Sequence, residues 1–331
     1  MRTCRQTKPI WLGRTFPTVA RWFALLLCAA SAGSARAAEP DANVSLRLAF
    51  SSAMFTQVNE NDARASVKAW GQTVAKTHGV AGDLEALIAN GAGAMIKMLQ
   101  SGQADGAVLP ITEYAEVCRE VRFSHVFVAT HGGDLTEAYV VLVPRDSAVK
   151  QLADLHGRQL FLFSSPRTCL AEPWLDSQLR QGGQLTFATF FGRIQRVAKL
   201  SKAVLPVFFR QTDACLVTRR GFDTMGELNP QLRQQLRVIA ASPALVPVVF
   251  CIRAEFRSAV LEEILNSLRE LHTTPAGLQV LTVFQSERLT EQPPEYLAAS
   301  LALLAEQDRA AAEVVVAQAA AGDAHPKGGP N

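Results

Sequence analysis

The chain has no C-x-x-C pair and no grouping of histidine with cysteine at metal-ligand spacing; its six histidines, His78, His125, His131, His156, His272 and His325, are scattered. That pattern argues against a structural zinc site, which needs such spacing, and no cofactor is expected. No tandem repeat of solenoid period is present, which excludes a stacked-repeat architecture. A large basic excess is also missing. Residues 1–38 carry six Lys/Arg and no acidic residue, so the net charge of +3 for the full chain becomes −3 for the remainder. Nucleic acid is therefore not an expected partner.

What the first 38 residues do contain is a basic start (Arg2, Arg5, Lys8, Arg14, Arg21), the apolar stretch Trp22 to Ala30 and the small-residue sequence SAGSARAA. The apolar stretch is shorter than the about 20 residues that span a bilayer. Ala35-Arg36-Ala37 fits an A-x-A cleavage site, so residues 1–38 read as a secretory signal peptide and the protein is expected in the periplasm, with no membrane insertion after cleavage. Export removes Cys4 and Cys28 and leaves Cys118, Cys169, Cys215 and Cys251. In an oxidising compartment these permit three pairings, with buried free thiols as the alternative. Adjacent strand ends favour Cys169 with Cys215 and Cys118 with Cys251.

The remaining 293 residues exceed one ordinary core, which favours two lobes. Val44 to Phe50 alternates as a strand; ARASVKAWGQTVAKTHG follows at helical spacing behind Asn61 and Asp62. Leu84 to Ala89 and Ala104 to Pro110 read as further strands around the helix NGAGAMIKMLQSG. The alternation continues after Thr136 with EAYVVLVPRDS, LADLHG, RQLFLFSS, LAEPWLDSQLRQGG and TFATFFG, read as strand, helix, strand, helix and strand. SKAVLPVFFRQ is a helix, Asp213 to Arg219 a short buried strand, and LNPQLRQQL a helix. Val238 to Arg253, broken by prolines, suits a crossover between lobes. The rest reads as helices ending in a flexible tail, so the class is α/β.

Hydroxyl-rich strand exits carry the functional signal. In an open α/β sheet, ligands bind beyond the carboxyl ends of strands, where helix starts offer unpaired N–H groups. The sequence FLFSSPRTCLAEPWL leaves a strand through Ser164, Ser165, Arg167 and Thr168, which suit either an oxyanion site or a helix cap. Ser51 and Ser52 follow the first strand, Thr112 and Tyr114 the third, and Tyr139 opens the second lobe. Taken singly, each of the hydroxyls at the first and third strand exits reads first as a cap or turn residue, and Tyr139 as either a hinge residue or a core tyrosine. A hydrolase using Cys169 or Ser164 is a further alternative, but the turn is not G-x-S-x-G and no histidine motif accompanies it.

The order LRLAFSSAMF, SGQADGAVLP, DSAVKQLADLHGRQL, TDACLV and ALVPVVFCIR resembles the PhnD-type family of periplasmic phosphate, phosphite and phosphonate-binding proteins of ABC importers. The resemblance implies a two-lobed type 2 periplasmic-binding-protein fold, each lobe a mainly parallel sheet flanked by helices, joined by a two-stranded hinge. It places lobe 1 at 42–137 plus 245–320, lobe 2 at 138–244 and the tail at 321–331. It implies a monomer that captures a small anionic ligand for an ABC permease or, alternatively, for a membrane sensor. Asp213 matches the aspartate of the family's v-D-a strand. The family's S-T-S-G turn reads Arg167-Thr168-Cys169-Leu170 here, and its histidine falls at Leu200 or Ser201.

Overall fold

The computed structural model describes residues 44–56, 59–78, 82–183 and 186–323. The expected signal peptide and the last residues of the expected tail lie outside them. The first half runs β1 (Val44–Ser51), α1 (Glu60–His78), β2 (Gly82–Ala89), α2 (Ala92–Gln100), β3 (Gly106–Pro110), α3 (Ile111–Glu120) and β4 (Phe123–Thr130). The chain then forms β5 (Tyr139–Pro144), β6 (Gln159–Phe163), α4 (Ala171–Gln181), α5 (Phe187–Phe190), β7 (Arg193–Val197), α6 (Leu200–Phe208), β8 (Ala214–Thr218), α7 (Arg219–Leu228), α8 (Pro230–Gln235) and β9 (Leu236–Ala241). It returns through β10 (Val248–Arg253), α9 (Leu261–Arg269), α10 (Pro275–Val283), β11 (Arg288–Glu291) and α11 (Ala298–Asp323).

Two sheets result. One has six strands in the order β11-β4-β10-β3-β1-β2, the other five in the order β7-β6-β8-β5-β9. Parallel pairing is confined to β1 with β2 and β3, and to β6 with β7 and β8. The rest is antiparallel, so both sheets are mixed where mainly parallel ones were expected. The reason is the double crossing: β5 enters and β10 re-enters running against the strands they join, because each arrives from the other sheet rather than through a crossover helix.

Strand alternation explains the layers. On β5, Tyr139, Val141 and Val143 face a core shared with Leu109 and Val249 of the first sheet, while Val140 and Leu142 face α6 through Ala203, Val204 and Val207. The opposite face of the first sheet, with Leu48, Phe50 and Phe250, is covered by Val67 and Trp70 of α1, Leu268 of α9 and Leu281 of α10. Gly106 lets β1 and β10 close on β3: a Cβ there would lie 2.8 Å from the Cys251 carbonyl oxygen and 2.9 Å from Leu48. Helix α11 packs on both α3 and α4, and Ser300 Oγ accepts from Val246 N at 2.8 Å.

Several elements differ from the expectations. TFATFFG forms the short helix α5 instead of a strand, because buried Asp176 accepts from Phe187 N at 2.6 Å and holds a helical start while Phe187 and Phe190 turn inward. Strands β4 and β11 and helix α7 are not among the expected elements, although Phe222, Met225 and Leu228 of α7 recur at helical spacing. Helix α11 continues to Asp323, into the stretch expected as tail. All four described cysteines are free, so neither expected bridge forms. Cys169 Sγ donates to Pro247 O at 3.2 Å and Cys251 Sγ to Ala107 O at 3.7 Å. Burial pushes all four thiols above their ordinary range. Thiol titration of protein lacking residues 1–38 should therefore find four reactive groups in denaturant, with Cys215 and Cys251 unreactive while folded. A count of zero or two in denaturant without reductant would establish bridges instead.

Candidate functional site

The chain crosses between the sheets twice, after β4 and after β9, and the crossings pair. Glu137 N donates to Leu245 O at 2.8 Å, and Leu245 N donates back at 2.9 Å. A cavity of ≈ 1010 Å³ opens beside this two-stranded hinge and is lined from both sheets. Its polar wall comes from four turns: Ser165 to Arg167 after β6, Thr218 and Arg220 after β8, His131 and Gly132 after β4, and Gln285 to Glu287 before β11. Lys199 and Ser201, at the start of α6, complete it.

Arg167 is the centre of the polar wall. Its Nη2 donates to Gln285 O and to Ser286 Oγ, each at 3.2 Å, and its Nη1 lies 3.7 Å from Glu137 Oε1. Burial pulls this guanidinium below its ordinary pKa, with Glu137 opposing the shift. Glu137 is itself 3% exposed, and desolvation raises its carboxyl above the usual range. Arg220 Nη1 donates to Gly132 O at 2.7 Å and Nη2 binds Asp134. Its Nε is buried with no hydrogen-bond partner among the described residues. Gly132 and Gly133, both at positive φ, aim their N–H groups at Glu287, each at 2.9 Å. These two donors, first that of Gly133, hold the Glu287 carboxyl below its usual range.

Of the residues singled out in the sequence, Ser165 and Arg167 line the cavity. Thr168 sits just behind them: its Oγ1 accepts from Ser165 N at 2.8 Å and donates to Ser165 O at 3.0 Å, closing the 3-10 turn Pro166–Thr168. Tyr139 is fully buried and its hydroxyl donates to Arg167 O at 2.9 Å, so it supports the turn from below. Ser164 is exposed, its N–H spent on Val197 O. Ser51 is buried, accepting from Ala53 N and donating to Glu113 Oε1 at 2.8 Å, while Ser52 is exposed. Thr112 lies in the first turn of α3, and Tyr114 stacks on Phe123 in the core. None of these last four lines the cavity. Asp213 stands at the amino end of β8, away from the cavity at the carboxyl end. There it pairs with Arg158 and accepts from Gln159 N, each at 3.0 Å. Cys169 is no activated nucleophile, since desolvation pushes its thiol up to about 12 and a reactive cysteine needs the opposite shift.

Sequence reasoning missed Arg220, Lys199, His131, Glu137 and the Gln285 to Glu287 turn. One signal was available for Arg220: ACLVTRR leaves its strand through a threonine and arginines, much as QLFLFSSPRT does. Thr218 caps α7 by accepting from Gly221 N at 3.2 Å, which turns Arg220 toward the hinge. Among the described residues no group of His, Cys, Asp and Glu could hold a metal, and no helix is long and apolar enough to cross a membrane.

A family model described as the periplasmic substrate-binding protein of a phosphonate ABC transporter matches residues 53–296. Among solved structures, a Xanthomonas citri protein bound to chloride ion superposes with a TM-score of 0.57 at 16% identity, covering 80% of this chain and 99% of its own. PhnD1 of Prochlorococcus marinus in complex with methylphosphonate gives 0.55 at 12%, covering 80% and 98%. A binding protein component of an ABC phosphonate transporter from Pseudomonas aeruginosa gives 0.53 at 13%, covering 79% and 85%. Identities this low establish a shared fold. No curated protein matches the chain.

His131 makes this site pH-sensitive. Its Nδ1 donates to Gln285 O at 2.9 Å; burial, followed by nearby Arg167, lowers its pKa below 6.5, the Gln285 hydrogen bond opposes the shift, Arg220 adds to it and Glu287 opposes it. The unfolded chain therefore takes up this proton first. The histidine's contribution to stability is present above pH 6.5 and lost as pH falls through its depressed folded value. Melting temperatures at pH 7.5 and 5.0 should fall more for the wild type than for His131→Asn, which keeps a donor for Gln285 and does not titrate. An equal fall in both proteins would remove His131 as the source.

Proposed function

The chain belongs to the family of periplasmic substrate-binding proteins of phosphonate ABC transporters, and from that premise we propose that its cleft captures a small oxyanion, phosphonate-like or phosphate-like, for delivery to an ABC permease. The observation that carries this reading is the convergence of Arg167 and Arg220 at the hinge, with Arg220 Nε buried and unpartnered. A guanidinium with an unused N–H is a fixed donor suited to an anionic oxygen. Ser165 and Lys199 add a hydroxyl and a second kind of cation to the same wall.

Delivery follows from closure. Arg167 stands on the second sheet, and Gln285 and Ser286 stand beside the first, so their hydrogen bonds cross the cleft. A ligand touching both sides stabilises the closed form, which the permease distinguishes from the open one. The protein is proposed to act as a periplasmic monomer after removal of residues 1–38. The Arg167-Thr168-Cys169-Leu170 turn, with Thr168 oxygen already engaged by Ser165, supports a second reading: a ligand-sensing protein of the same fold without a transport role. A neighbouring permease and ATPase gene pair favours import, and a neighbouring histidine kinase gene favours sensing.

Titration calorimetry against phosphate, phosphite, methylphosphonate, methanesulfonate and sulfate should yield at least one binder. Arg220→Ala should weaken it at least tenfold, equivalent to about 1.4 kcal/mol. Thr168→Ala should act chiefly on stability, by about 1 kcal/mol as for a lost cap. Flat isotherms across the panel would overturn the oxyanion reading.

A further inference from the structure

We propose that the ligand is amphiphilic, with its oxyanion head at the Arg167 and Arg220 mouth and an unbranched alkyl chain lying in an apolar chamber within the first lobe. The inference rests on the oxyanion reading above and specifies the substrate class.

The cavity does not stop at the polar mouth. It continues between the first sheet and its covering helices, where its inner wall is made by Leu48 and Phe50 of β1, Val67 and Trp70 of α1, Leu268 of α9 and Leu281 of α10. Each of these residues is buried, yet each faces the cavity. They contribute no ionisable group to the wall. At ≈ 1010 Å³ the space stands at the upper end of the range for drug-sized ligands, and a one-carbon phosphonate would occupy only the mouth.

Mouth and chamber share a boundary. Phe284 stacks on Phe50 with ring centroids 5.3 Å apart and planes 9° apart. The next two residues, Gln285 and Ser286, receive the Arg167 hydrogen bonds. A molecule held by its head at Arg167 would therefore leave its other end beside an aromatic wall that leads inward. Unfilled, such a chamber forfeits the dispersion contacts its lining could make, and an apolar chain restores them. A charged far end would meet no partner there and would keep its full desolvation penalty. The chemistry selects a single-headed amphiphile over a small zwitterion.

The test is a chain-length series on the intact mature protein: methyl-, butyl- and octylphosphonate, each below its micellar concentration, and 8-aminooctylphosphonate. Affinity should rise about fourfold per added methylene until the chamber fills, and the terminal amine should abolish most of that gain. Val108, half-buried between Phe50 and Phe250 in the strand register, lines the same passage. Val108→Phe should lower octylphosphonate affinity toward that of methylphosphonate, with the melting temperature checked to establish folding. Equal affinities for methyl- and octylphosphonate in the wild type would overturn the chamber and leave the oxyanion reading standing. Failure of every phosphonate to bind would overturn the chamber, and the oxyanion reading would fall with it only where phosphate, phosphite, methanesulfonate and sulfate also give flat isotherms.

Discussion

The antiparallel bridge between Glu137 and Leu245 is the constraint on which the functional geometry depends. It ties together the two strands of chain that pass between the sheets, and neighbouring contacts extend it: Tyr139 N donates to Ser242 Oγ at 2.7 Å and Ser242 N to Tyr139 O at 2.8 Å. A pair of short crossings can twist but cannot slide, so the carboxyl ends of β6 and β8 stay opposite the β4 and β11 edge of the first sheet. The hinge also reaches the grip directly. Tyr139 hydroxyl holds the Arg167 carbonyl, and Glu137 carboxylate faces the Arg167 guanidinium. Arg167 is thereby tied to the hinge through Tyr139 and Glu137 and to the side of the first sheet through Gln285 and Ser286.

The electrostatics of the mouth are those of oriented donors and not of excess charge. Arg167 faces Glu137, Arg220 binds Asp134, and Glu287 already fills the paired N–H groups of Gly132 and Gly133. Counting charges alone would give little reason for an anion to enter. Two details change the balance. Burial strips hydration from Glu137 and raises its carboxyl above the usual range, so its pairing with Arg167 carries a desolvation cost. The arginine donors are also already fixed in place, so an entering oxyanion meets groups whose ordering cost was met on folding. On the proposed oxyanion reading, that arrangement would favour shape and donor geometry over simple anion attraction.

Much of the fold was legible because its central strands are short apolar runs followed by amphipathic helices: VSLRLAF, GAVLP, YVVLVP, QLFLF and ACLVT all became strands. What escaped was either local override or pairing context. Three phenylalanines in TFATFFG read as a strand, but Asp176 fixes a helical turn at Phe187. The site was less legible. The rule that ligands sit beyond strand carboxyl ends points to Ser165 and Arg167, which line the cavity, but it cannot say which hydroxyls the backbone will consume. Ser51 turns to Glu113, and Thr168 turns back to Ser165. Asp213 shows the opposite error, since a residue just before a strand occupies the other edge of the sheet, where it joins β6 to β8 through Arg158 and Gln159. Glu137 and Gln285 became functional neighbours only through contacts far apart in sequence, which no local pattern records.

The two faces of the first sheet are packed to different ends. Toward α2, α3 and α11 the side chains are small or closely fitted, with Ala49, Ala107, Met95 and Leu99 all essentially inaccessible, and the core continues unbroken into the second sheet. Toward α1, α9 and α10 the residues are large and aromatic, yet a cavity remains among them. Close packing is the ordinary state of a protein interior, and space kept among Leu, Val, Trp and Phe forfeits contact energy that the same residues would gain by collapsing together. Helix α1 contributes Trp70 and Val67 to this layer and packs on both β2 and α10. A guest that fills the space would bind only the folded chain. Its binding energy would then add to folding stability in proportion to its occupancy, coupling the rigidity of α1 and α10 to the same event that closes the hinge.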